Sequence, residues 1–222
     1  MTQEISCLKK ERNAIILAHN YQVSSVQNVA DFVGDSLELS RTAANINCDV
    51  VIFCGVDFMA ETAAILSPQK IVILPEPTAN CPMAQMITAD QLKNARELYP
   101  DAAVVCYVNS TAEVKAESDI CCTSANAVSV VNSLSQKQVI FVPDENLARY
   151  VAKYTNKDIV PWNGYCYVHS RFKPEEVLEA RRLHPNAEVL VHPECVPEVI
   201  DLADYVYSTS GMGKHAKACK AS

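Results

Sequence analysis

Landmarks recur along this chain at one nearly constant distance, and that period limits the fold more than any other feature of the sequence. Strand-like runs end in His19, Tyr107 and His192, at separations of 88 and 85 residues. A small hydroxyl residue ahead of a helix-like segment recurs as Ser36, Ser124 and Thr209, again 88 and 85 apart. Asp57, after VVIFCGV, is matched 87 residues on by Asp144, after VIFVP. Cys81 and Cys166 lie 85 apart, and each follows an apolar run and a proline. One pair could arise from ordinary element lengths, but agreement among four kinds of landmark argues for three homologous units.

Between the landmarks, short runs rich in Val and Ile (AIILA at 14–18, VVIF at 50–53, KIVIL at 70–74, AVVCYV at 103–108, VIFV at 139–142, EVLVH at 188–192) alternate with amphipathic segments such as Ser36 to Ala44 and Glu175 to Leu183. Repeated strand-then-helix order predicts an α/β fold with parallel sheets and right-handed crossovers. The expected architecture is a pseudo-threefold repeat of small three-layer αβα domains over 1–84, 85–170 and 171–222. One more period puts the counterparts of Asp144 and Cys166 beyond Ser222, so the third unit is expected to be incomplete.

Composition narrows the function classes. With 49% hydrophobic and 20% charged residues the chain reads as soluble and globular. A net charge of −7, spread along the sequence, carries no basic footprint for nucleic acid. Neither a signal-peptide core nor an apolar run of about 20 residues is present, so a cytoplasmic protein without membrane association is expected. In a reducing compartment its ten cysteines should be buried small hydrophobes or metal ligands, not a disulfide framework.

Ligands of parallel α/β sheets bind beyond the carboxyl ends of strands. There the repeats offer AHNYQ with His19, Asn20 and Tyr21, CYVNST with Tyr107 and Asn109, and VHPE with His192 and Glu194. The loops GDSLE, CCTSAN and STSGM, carrying Ser36, Ser124 and Thr209, open helices, where free N–H groups favour phosphate or carboxylate. Each residue also has a plain structural reading: an N-cap for the hydroxyls, a hydrogen-bonded histidine for His19, a solvated loop charge for Glu194. One cysteine per unit at the positions of Cys81 and Cys166 would gather three thiolates on a pseudo-threefold axis, suiting an iron–sulfur cluster with one iron open as a Lewis acid. Without the repeat, a zinc site or two buried thiols would be preferred. Cys48, Cys54 and Cys106 read as core, Cys121 and Cys122 as neighbours of the Ser124 loop, and Cys7 as exposed; Cys195 and Cys219 have no period partner.

In order, HNYQ, GDSLELSR, CGVDFMAETA, PTANCPMA, YVNST, CTSANA, PDENLARY, NGYCYVHSRF, HPEC and STSGM cover nearly all of residues 12–217, and the set resembles the quinolinate synthase family. The resemblance implies three α/β domains around a central site and a [4Fe–4S] cluster on three cysteines, with Cys81 and Cys166 as ligands and the third beyond residue 222. It implies condensation of iminoaspartate with dihydroxyacetone phosphate to quinolinate in NAD biosynthesis, with an iminoaspartate-producing oxidase or dehydrogenase as partner. His19, Ser36, Tyr107, Asn109, Ser124, His192, Glu194 and Thr209 would contact substrate, and Tyr21 would act with His19 and Glu194 in proton transfer. Because the family continues past STSGM, this chain alone is expected to be inactive or weakly active. Two other classes are a non-catalytic pocket for a small dicarboxylate or phosphorylated ligand, and a zinc hydrolase using His19, His192 and Glu194.

Overall fold

The computed structural model describes residues 2–219 and divides after Cys81 into two compact units. The first runs α1 (Thr2–Glu11), β1 (Ala14–His19), α2 (Ser24–Gln27), β2 (Phe32–Gly34), α3 (Ser36–Asn45), β3 (Val50–Cys54), α4 (Asp57–Leu66) and β4 (Ile71–Ile73). Its four strands are parallel in the order β2-β1-β3-β4. Leu17, Leu39, Val51, Phe53 and Phe58 are almost fully buried and make its core.

The second unit opens with α5 (Ala89–Leu98), β5 (Ala103–Tyr107), α6 (Ala112–Ala116), β6 (Ile120–Cys122), α7 (Ala127–Ser133), β7 (Gln138–Val142), α8 (Glu145–Ala152) and β8 (Asp158–Pro161). These strands are also parallel, in the order β6-β5-β7-β8, so the topology of the first sheet is repeated. The central strands β5 and β7 are buried nearly throughout, as strands covered on both faces must be. The chain continues through α9 (Pro174–Leu183), β9 (Leu190–Val191), α10 (Pro197–Ile200), β10 (Tyr205–Val206) and α11 (Thr209–Ala218). There β9 and β10 pair in parallel over a small core of Val191, Cys195, Val199 and Ile200. The α/β class with repeated parallel sheets is therefore as expected, although β9 is much shorter than EVLVH suggests.

A finer repeat marks each sheet. Asp31, Asp119 and Asp204 each accept a hydrogen bond from the backbone N–H fifteen residues earlier, Ile16 at 2.8 Å, Val104 at 2.7 Å and Val189 at 2.8 Å. Each is also ion-paired to a basic residue of the preceding helix: Lys9 on α1 at 2.6 Å, Arg96 on α5 at 2.8 Å and Arg181 on α9 at 2.8 Å. The aspartate thus ties helix, first strand and second strand together. A second device appears in two of the repeats. Lys70 donates to the carbonyls of Ala43 in the last turn of α3 and Ile46 just after it, and Lys157 to those of Leu134 and Gln136 beyond α7, which satisfies acceptors at the helix ends.

Both cysteine loops are strapped to a helix start. Asp57 N–H donates to Ala79 O at 2.9 Å, two residues before Cys81, and Glu145 N–H donates to Gly164 O at 2.7 Å, two residues before Cys166. A Cβ at Gly164 would collide with the Pro143 carbonyl, so this strap needs glycine.

Candidate active site

Within the first unit, His19 closes β1 and is 6% exposed. Its Nδ1 accepts the Tyr21 N–H at 3.3 Å, and the two rings meet edge to face with centroids 4.4 Å apart. An Nδ1 that accepts leaves the proton of the neutral ring on Nε2. Burial lowers the His19 pKa to about 4, against the raising influence of Asp35, so the ring is neutral near pH 7. Ser36 is the first residue of α3, but Asp35 is its N-cap, accepting from Glu38 N–H at 3.0 Å. Cys81 is half-buried in the loop after β4.

In the second unit the polar residues converge on Glu194, which is 3% exposed. Its Oε2 lies 2.8 Å from His169 Nδ1 and 3.8 Å from His192 Nδ1, and the Tyr107 hydroxyl hydrogen-bonds to the same carboxylate. His192 repeats the arrangement of His19. Its Nδ1 accepts the Glu194 N–H at 3.3 Å, and its Nε2 lies 3.1 Å from Ser124 Oγ, so Nε2–H donates to the serine. The His169 and His192 rings stack with centroids 4.6 Å apart, and His169 Nδ1 is also 3.2 Å from Cys166 Sγ. Asp144, the N-cap of α8, accepts from Leu147 N–H at 2.6 Å and from Cys166 N–H at 3.0 Å, which fixes the cysteine's backbone.

The electrostatics separate these groups into distinct protonation states. Burial acts to raise the Glu194 pKa, but the His169 hydrogen bond, electrostatic attraction to His192 and His169, and the Tyr107 hydrogen bond outweigh it and hold it at about 2. Burial acts to lower His169, yet its bonds to Cys166 and Glu194 lift it to about 10. Burial takes His192 down to about 4. Burial, then the charge of Glu194, push Asp144 up to about 7. Near neutral pH the centre holds a buried His169 cation against the Glu194 anion, beside a neutral His192.

Ser124 lies in the turn before α7, and Thr209 begins α11 behind its N-cap Ser208. A cleft of about 400 Å³ is lined by Ser124, Pro193, Tyr207, Ser208 and Tyr150, so the hydroxyl loops and the HPE turn of this unit face one space. Asn109 is half-buried two residues after β5. Tyr107, Ser124, His192 and Glu194 are thus joined by direct contacts, with Cys166 tied in through His169, whereas in the first unit His19 and Tyr21 meet at the end of β1 and Ser36 begins α3. The N-cap reading of Ser36 and Thr209 gives way, because Asp35 and Ser208 take that role.

The family model described as "Quinolinate synthetase A protein" matches residues 3–222. This chain belongs to the quinolinate synthetase A family. It is 61% identical to a quinolinate synthase of Methanoregula boonei over 217 residues, covering 98% of this chain and 72% of that protein. It is 59% identical to a quinolinate synthase of Dehalococcoides mccartyi, covering 97% of this chain and 72% of the relative, and 57% identical to one of Thermococcus kodakarensis with the same coverage. Relatives of the quinolinate synthetase A family are thus named as enzymes, and this chain is similar to them along nearly its whole length.

In this family member His169 is the residue that the sequence reading passed over. It is central to the site: it pairs with Glu194, touches Cys166 and stacks on His192. The signal was available in NGYCYVHSRF, where Cys166 and His169 stand at the C-x-x-H spacing common to metal and thiol sites.

Proposed function

We propose that this chain supplies most of the site of a quinolinate synthase, which condenses iminoaspartate with dihydroxyacetone phosphate to quinolinate, phosphate and water in NAD biosynthesis, and that the chain by itself is at most weakly active. The observation that carries the reading is the buried Glu194, ionised, paired with protonated His169 and bonded to Tyr107, beside a neutral His192. A condensation that closes an imine and loses water and phosphate needs donors for carboxylate and phosphate oxygens and a proton relay. His192 Nε2–H with Ser124, and separately the Nε2–H of His19 and the Ser36 hydroxyl in the first unit, supply donors without a permanent charge. Tyr107, Asn109 and Thr209 complete the oxygen contacts. Glu194 accepts a proton and His169 returns one, and Tyr21, whose ring meets that of His19, is assigned to proton transfer in the first unit.

The proposed cofactor is a [4Fe–4S] cluster, whose soft-donor type is met by Cys81 in the first unit and, separately, by Cys166 in the second, each half-buried on a loop fixed by a backbone strap. Bound there, it would supply Lewis acidity. None of the ten cysteines forms a disulfide, which goes with a reducing, cytoplasmic setting, and no described helix is long and apolar enough to cross a membrane. The unstable iminoaspartate would come from an oxidase or dehydrogenase acting on aspartate.

Cys166, His169 and Glu194 place three donor atoms within 4.8 Å of one another, which favours zinc as a second reading at this centre. Anaerobic reconstitution with iron and sulfide, followed by a quinolinate assay with both substrates, separates the two. The synthase reading expects broad visible absorption and quinolinate formation above the enzyme-free rate, both weakened by Cys166→Ala. Glu194→Gln should remove turnover and keep the absorption. Stoichiometric zinc with neither iron nor quinolinate would overturn the proposal.

A further inference from the structure

Away from that centre, Glu188, His215 and Cys219 offer one carboxylate oxygen, one imidazole nitrogen and one thiol sulfur, all within 4.8 Å of one another. His215 Nε2 is 2.6 Å from Glu188 Oε2, and Cys219 Sγ is 3.0 Å from the same oxygen. His215 and Cys219 are four residues apart at the end of α11, a spacing that puts two side chains on one helix face. Glu188 reaches them from the segment just before β9. The imidazole is already oriented, since its ring packs on Tyr205 at 4.4 Å and on Tyr207 at 5.4 Å, and those two rings stack on each other at 5.7 Å.

We infer that Glu188, His215 and Cys219 form a zinc site with three protein ligands and a fourth position open to water. A histidine–glutamate pair needs no thiol, yet the thiol converges on the same carboxylate oxygen. Mixed sulfur, nitrogen and oxygen donors select zinc over magnesium or calcium, which take oxygen alone. The histidine and thiol donors lie 2.6 and 3.0 Å from the shared carboxylate oxygen, against about 3.3 to 3.7 Å between ligands of a tetrahedral ion with bonds of about 2.0 to 2.3 Å, so binding needs the side chains to part by less than about 1 Å. Side-chain exposures of 19% for His215 and 36% for Glu188 leave an entry path from solvent. Asp204, the nearby acid, is held by Arg181 at 2.8 Å and by Val189 N–H at 2.8 Å and stays outside the ligand set. On binding, the Cys219 thiol releases its proton to solvent and the imidazole binds as the neutral ring. The ion would pin the end of α11 to the entrance of β9. No residue is shared with the Cys166, His169 and Glu194 centre, so the inference stands or falls separately from the proposed function.

The test is titration of the reduced full chain with zinc, and with cobalt as a spectroscopic substitute, in wild type and in Cys219→Ala, His215→Ala, Glu188→Gln and Cys166→Ala. Expected is loss of one zinc equivalent in the first three variants and its retention in Cys166→Ala, with unchanged circular dichroism. The sulfur-to-cobalt absorption that remains in Cys166→Ala should vanish on adding Cys219→Ala. Zinc should raise the melting temperature of wild type and of Cys166→Ala, and not of Cys219→Ala. Equal zinc stoichiometry in wild type, His215→Ala and Cys219→Ala, or no zinc retained by wild type, would overturn the inference.

Discussion

His169 Nδ1 lies 2.8 Å from Glu194 Oε2, and the carboxylate is 3% exposed, so the chain keeps an ion pair where water cannot screen it. Such a pair persists because its members are further bonded: Glu194 to Tyr107, and His169 to Cys166 with its ring on His192. The arrangement fixes three protonation states near neutral pH: an anionic Glu194, a cationic His169 and a neutral His192.

Replacing His169 with Ala should cost about 3 to 5 kcal/mol, because an unpaired buried carboxylate is left behind. Urea unfolding reads this as a lowered midpoint. The double variant His169→Ala/Glu194→Gln should recover part of the loss, and no recovery would mean that the charge pair is not the cause.

Stability should peak near neutral pH. His19 and His192 have folded pKa values of about 4 against an ordinary 6.5, so the unfolded chain binds protons first as pH falls from 6.5 to 4. Roughly 2 to 3 kcal/mol per histidine is lost across that window. His169, raised to about 10, contributes fully below 6.5 and loses its contribution as pH rises from 6.5 to 10. The Glu194 contribution is complete above 4.5 and disappears only as pH falls through about 2. Urea midpoints at pH 5, 7 and 9 should therefore be highest at pH 7; a monotonic trend would contradict the assigned states.

Asp119→Ala should cost about 1 to 3 kcal/mol, since it leaves the N–H of the fully buried Val104 without its 2.7 Å acceptor. Amide exchange at Val104 should accelerate with it. An unchanged exchange rate would show that another acceptor takes over.

Gly164→Ala should destabilise the chain by about 1 to 3 kcal/mol through the collision with the Pro143 carbonyl. The Cys166 loop, two residues on, should move with it, so metal retention after reconstitution should fall even where the fold survives. Wild-type retention together with wild-type stability would show that the strap tolerates a side chain.

Much of this was legible in the sequence because polar residues at strand ends and apolar runs share one period. The α/β class, the parallel sheets and the grouping of Tyr107, Ser124, His192 and Glu194 follow from that. Edge strands were harder: FVG, ICC and YV are two or three residues long, and their pairing depends on a neighbour that no local pattern shows. EVLVH suggests five residues, but among the described residues β9 pairs with β10 alone, and Glu188 turns toward α11. The struts were readable in retrospect, as an aspartate precedes each of these short strands at Asp31, Asp119 and Asp204, at the same separations of 88 and 85. His169 escaped because it has no counterpart one period away.

The aspartate struts also bear on how the chain reaches its native state. Each joins residues only fifteen positions apart, so closing it confines a short loop and draws the first two strands of a sheet side by side from within a single segment. Parallel pairing is ordinarily slow because distant stretches must meet. Here every repeat brings its own clasp, and a nascent chain can lock one strand pair before the next has been synthesised.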